Sequence, residues 1–93
     1  MILMNNELTD FEIDILKALR KHDDRNTAEK FSMDEYHKKL YEDVLEERFR
    51  EILTLLEYNG YIKKIGATFG QKFGLYDIAP EGLKYLINIE RKK

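Results

Sequence analysis

Leu53-Thr54-Leu55-Leu56-Glu57-Tyr58-Asn59-Gly60-Tyr61-Ile62 is the stretch that decides the fold. Leu53 and Leu56 belong with Leu45, Phe49 and Ile52 to an apolar stripe at helical spacing. That stripe predicts a third helix over about 44–58. Asn59-Gly60 ends it, because glycine enters the left-handed region without a side-chain penalty and so closes helices at C′. The chain then changes period, and 61–65 reads as a strand.

Working outward, Gly66, Gly70 and Gly74 punctuate a loop, and Leu75–Ile78 reads as the returning strand of a β-hairpin over about 61–78. Pro80 suits a first helical position, so a last helix is expected over about 80–90 with Leu83, Leu86 and Ile87 inward. Upstream, Leu8, Phe11, Ile15, Ala18 and Leu19 predict a first helix over 8–21 with a Thr9/Glu12 capping box, and 22–26 as a polar loop. Ser32 and Glu35 offer a second capping box for a helix over 33–41, with Met33, Tyr36, Leu40 and Tyr41 facing inward. Lys30-Phe31 reads as a very short strand before it. Asp43 and Glu46 offer a third box. Because 33–58 contains neither Gly nor Pro, one long helix is the alternative there, although its 26 residues favour a break near 41–43.

The chain has 93 residues, which fits one domain over 1–93. It has no cysteine, which excludes disulfides and thiolate ligation or catalysis. No apolar run approaches membrane-spanning length and the amino terminus lacks signal-peptide character, so a cytoplasmic location is the default expectation. A thin core makes dimerisation a fair expectation.

The order of elements, the Leu53–Ile62 stretch and the return Leu75-Tyr76-Asp77-Ile78-Ala79-Pro80-Glu81-Gly82-Leu83-Lys84-Tyr85-Leu86 together resemble the winged helix-turn-helix superfamily, an α+β fold. Within it the chain is most similar to the small YjcQ-like proteins of bacteria and phages. Ala79 departs from the pattern, standing where many relatives carry a helix-capping threonine, so a weaker start to the last helix is expected.

The resemblance implies a small DNA-binding transcriptional regulator acting by operator occupancy. It is expected to pair through its terminal helices with help from Ile2, Leu3 and Met4. In such proteins the amino-terminal half of the third helix enters the major groove. Here five of the ten residues 42–51 are acidic and two are basic, which opposes phosphate docking. The DNA-reading positions fall on Arg48 and Arg50, and the alternative for both is pairing with Glu46, Glu47 and Glu51 at i±3 and i±4.

The hairpin is the better candidate. Residues 1–59 carry 9 basic and 15 acidic side chains, whereas 60–93 carry 7 and 3. Lys63, Lys64 and Lys72 lie on or beside the hairpin, where lysines contact phosphates without reading sequence. Lys38 and Lys39 are further candidates for backbone contact, or plain surface.

The second reading is a protein-interaction module. It uses Glu42, Asp43, Glu46 and Glu47 as a face for a basic partner, with Phe69 and Phe73 as anchors; those two rings either fold back on the core or stand exposed.

Catalysis has little to rest on. His22 and His37 are far apart and expected to face solvent. Adjacent acids such as Asp23-Asp24 do not form a facing acid/base pair, and no spacing suggests a metal site or a cofactor. The loop 66–74 is not a phosphate-binding loop, since Phe73 follows Lys72 and a strand follows the loop.

Overall fold

A computed structural model describes residues 8–25, 28–40 and 43–91. Among these the elements run α1 (Asp10–Asp24), β1 (Phe31–Ser32), α2 (Met33–Leu40), α3 (Glu46–Tyr58), β2 (Ile62–Gly66), β3 (Leu75–Ile78) and α4 (Pro80–Arg91). The class is α+β, with four helices and a three-stranded antiparallel sheet of order β1-β3-β2.

Helix α1 starts as its sequence directs. The Thr9 hydroxyl accepts from Glu12 N–H at 3.3 Å, and the Glu12 carboxylate accepts from Thr9 N–H at 2.8 Å. It runs three residues past the expected end, to Asp24, so His22, Asp23 and Asp24 are helical rather than loop. Ile15, Leu16 and Leu19 are its buried face. Helix α2 receives its cap from Ser32, whose hydroxyl accepts from Glu35 N–H at 3.3 Å. It buries Met33 and Tyr36, but Leu40 is exposed rather than inward; Tyr41 lies outside the described residues.

The long-helix alternative for 33–58 does not hold, because a turn at 43–45 separates α2 from α3. The third capping box does not form either. Asp43 is exposed, and the residue at the N-cap is Leu45, with no side-chain bond to the helix. Leu45 therefore points outward at 77% exposure, and the buried stripe of α3 is Phe49, Ile52, Leu53 and Leu56.

The carboxyl end of α3 is closed by Gly60 at φ +82°. Gly60 N–H donates to Glu57 O and Tyr61 N–H to Leu56 O, both at 3.0 Å, which is the paired bonding of a Schellman ending. Strand β2 then pairs with β3 in the register Ile62↔Ile78 and Lys64↔Tyr76, with a bulge between Lys64 and Gly66. Ile62, Tyr76 and Ile78 pack inward.

Helix α4 begins without a side-chain cap from Ala79. Ala79 N–H donates to Tyr61 O at 3.0 Å, and its carbonyl accepts from Gly82 and Leu83 N–H. Leu86 is buried, whereas Ile87, expected inward, is 46% exposed. Arg20 reaches Glu90 through two bonds of 3.1 and 2.7 Å and ties α1 to α4. Its hydrogen bond to Glu90 leads in raising the guanidinium pKa.

Candidate nucleic-acid interface

The β2–β3 hairpin is the element of interest, and its loop is clasped from two sides. On one side is the first turn of α2. The Asp34 carboxylate accepts the backbone N–H groups of Lys72, Phe73 and Gly74 at 2.5, 3.0 and 2.9 Å, and Met33 N–H donates to Gly74 O at 3.0 Å. Burial raises the Asp34 pKa, but the backbone bonds together outweigh it and hold the carboxyl below its usual range.

On the other side is α3. Arg50 donates to Lys72 O at 2.9 Å and to Glu46 at 3.0 Å, and its guanidinium lies 5.3 Å from the Phe73 ring centroid. Lys72 Nζ completes the group at 3.2 Å from Glu46. Hydrogen bonds from Lys72 first and Arg50 second lower the Glu46 pKa.

Phe73 is consequently a core residue at 4% exposure. It stands edge-on to Phe49 at 4.9 Å and sits beside the His37 ring at 5.3 Å. Of the two alternatives for the loop aromatics, Phe73 takes the folded-back one. It is therefore no surface anchor, because the Asp34 bonds turn its backbone inward. Phe69 takes the other, at 107% exposure.

The histidines also differ from expectation. His37 is half-buried against Phe49 at 4.7 Å, with Nε2 2.7 Å from Val44 O. His22 is half-buried edge-on to Phe31, with Nε2 2.7 Å from Glu29 O. Each ring ties down a loop seven residues on, and neither faces solvent freely.

The candidate cations fall into two groups. Arg48 pairs with Glu51 at 3.5 Å, and Arg50 and Lys72 share Glu46. By contrast Lys38 and Lys39 on α2 and Lys63 and Lys64 on β2 are exposed and make no ion pair among the described residues.

No protein-family model, curated protein or solved structure matches the chain.

The acidic candidates are divided in the same way. Glu46 is neutralised by two cations, while Asp43 and Glu47 are exposed; Glu42 lies outside the described residues, as do Ile2, Leu3 and Met4. The outer face of α3 is thus ion-paired at its start and apolar further on, where Leu55 and Tyr58 stand exposed. A shallow groove of about 500 Å³ runs over Arg48, Arg50, Glu51, Thr54 and Leu55. Among the described residues no group of three His, Asp or Glu side chains is placed to hold a metal ion, and no helix is long and apolar enough to cross a membrane.

Sequence reasoning missed Asp34. It was one of two acids in the first turn of α2, and nothing in its spacing pointed to a loop 38 residues on.

Proposed function

We propose that the chain is a winged-helix domain of YjcQ-like type that binds double-stranded DNA through its hairpin and the end of α2, not by inserting α3. Regulation would follow from occupancy of an operator, without catalysis. The observation that carries this reading is the division of the cations. Arg48, Arg50 and Lys72 are each paired with a carboxylate, while Lys38, Lys39, Lys63 and Lys64 are exposed with no ion pair among the described residues and so are placed to meet phosphates. The same pairing offsets Glu46 and Glu51, while Asp43 and Glu47 stay exposed and unpaired among the described residues, which further disfavours insertion of α3. It also leaves no Arg on α3 free to reach a guanine edge.

The test is fluorescence anisotropy of a random-sequence duplex at low and moderate salt. Binding in roughly the 10⁻⁴–10⁻⁶ M range is expected, weakening steeply as salt rises. The double variant Lys63→Ala/Lys64→Ala should weaken binding on all sequences and reduce the salt slope by about two. Arg48→Ala should leave it unchanged.

Exposed Leu55 and Tyr58 favour a second reading, a protein-docking face on α3. Absence of DNA binding at low salt by folded protein would overturn the first reading and leave this one. Tyr58→Ala and Leu55→Ala then become the variants to test.

A further inference from the structure

We propose that Phe69 is an apolar wedge that the hairpin inserts between base pairs of bound DNA, a step that rests on the DNA-binding reading above. Three observations converge on it.

First, the ring is bare. At 107% exposure it makes no ring contact among the described residues, whereas Phe73, four residues on, is at 4%. It therefore contributes nothing to the core.

Second, the turn that carries the ring is built to hold it out. Gln71 N–H donates to Thr68 O at 3.1 Å, closing a β-turn over 68–71. Gly70 has φ +89°, the value a type II turn requires at its third position. The Gln71 side chain then accepts from Thr68 N–H at 2.8 Å and donates to the Ser32 hydroxyl at 3.4 Å. Below the turn, Asp34 grips residues 72–74. The backbone beneath the ring is thus already ordered, so insertion costs the freedom of one side chain and not of the loop, which is the advantage of preorganisation.

Third, the surrounding charge suits a polyanion. The hairpin carries Lys63 and Lys64 without an ion pair among the described residues, and from Lys64 to Tyr76 it has no acidic residue; Lys72 is paired with Glu46, and Asp77 lies opposite Lys63 at the far end of the strands. The stem of Lys64 lies over Gly74 at the base of the loop, and its ammonium is exposed there to a phosphate. Two carboxylates lie against the loop: Glu46 is shared by two cations, and Asp34 is turned inward onto three backbone N–H groups. Phosphates straddling the tip thus meet positive charge, and the bare phenyl ring meets the base stack. Apolar side chains placed in this way unstack a base step and kink the duplex by about 20–90°. Pyrimidine–purine steps such as TA yield most readily.

The probe is a duplex of about two turns with a central TA step carrying 2-aminopurine, labelled at its ends for energy transfer. Saturating wild-type protein should brighten the 2-aminopurine and shorten the end-to-end distance. Phe69→Ala should bind roughly ten-fold more weakly and, at saturation, produce neither signal. Phe69→Leu should restore both in large part, because it keeps an apolar wedge. Phe69→Ala should melt at the wild-type temperature, since the ring is fully exposed and buries no area in the fold. Equal affinity and equal 2-aminopurine signal for wild type and Phe69→Ala would overturn the wedge while leaving DNA binding intact. So would wild-type binding that produces no unstacking. If wild-type protein binds no duplex at all, the DNA-binding reading fails and the wedge with it, and an apolar pocket on a protein becomes the target for the ring.

Discussion

Gly82→Ala is expected to lower the melting temperature by on the order of 10–20 °C, although it places the best helix former inside a helix. Two effects compete. Helix propensity alone favours alanine over glycine by about 1 kcal/mol. Against that, a Cβ on Gly82 would overlap the carbonyl oxygen of Tyr61 and press on Ile78 Cγ1 at 3.0 Å. The Tyr61 carbonyl cannot easily retreat, because it accepts the Ala79 N–H that sets the start of α4. The residue after it, Ile62, is locked into register with Ile78. The helix must therefore lift from the hairpin, disturbing Leu86 in the core. Overpacking of this kind costs about 1–3 kcal/mol and more where backbone is the obstacle. With backbone as the obstacle the cost falls at or just above the top of that range, so packing should outweigh propensity by roughly 2 kcal/mol. Thermal melts followed by circular dichroism decide it, with exposed Asn88→Ala on the same helix as the control expected to stay at or above wild type. A higher melting temperature for Gly82→Ala would mean that α4 does not approach Tyr61 this closely.

The residues that proved legible are those whose chemistry is local. Thr9 with Glu12, Gly60 and Pro80 mark helix ends through bonds made within a few residues, so their positions could be read directly. The start of α3 shows where that fails. Asp43 and Glu46 have the spacing of a capping box, yet the helix starts later. The His37 ring holds the Val44 carbonyl, fixing the turn from outside the pattern, and Leu45 is left outward. Periodicity puts Leu40 and Ile87 on the inward face, but it marks a face and not where the core beneath it ends; both sit past that edge.

The candidate site divides in the same manner. The pairing of Arg48 and Arg50 within α3 was foreseeable from i,i+3 and i,i+4 spacing. The pairing of Lys72 with Glu46 was not, because it joins two elements 26 residues apart that meet only when the hairpin folds back on α3. That bond removes Lys72 from the set of free cations and, with Arg50, aligns Phe73 with the Phe49 ring.

Asp34→Ala should destabilise the fold by roughly 2–4 kcal/mol, since it strips the acceptor from three backbone N–H groups at once. Two of those donors belong to Phe73 and Gly74, which are buried, and water reaches them poorly. Asp34→Asn is the sharper probe. Its amide oxygen can keep the bonds to Phe73 and Gly74, but its NH₂ group then faces the Lys72 N–H, and the charge is gone. The aspartate's folded pKa lies below its ordinary value of about 3.9, so its ionised form is favoured by folding. The stabilisation is therefore fully present above the ordinary carboxylate range and is lost as pH falls through the lower, folded value. Glu46 is depressed as well, but it titrates in both proteins and cancels in their difference. The gap between wild type and Asp34→Asn in urea unfolding should therefore be constant from pH 7 to about 5 and shrink in acid below pH 4. Hydrogen exchange at Lys72–Gly74 should accelerate in the variant at neutral pH while exchange in the core of α1 changes less. A gap that stays the same down to pH 2.5 would show that the carboxylate's charge plays no part in holding the hairpin. The loop would then depend on the Met33–Gly74 bond and on Arg50 instead.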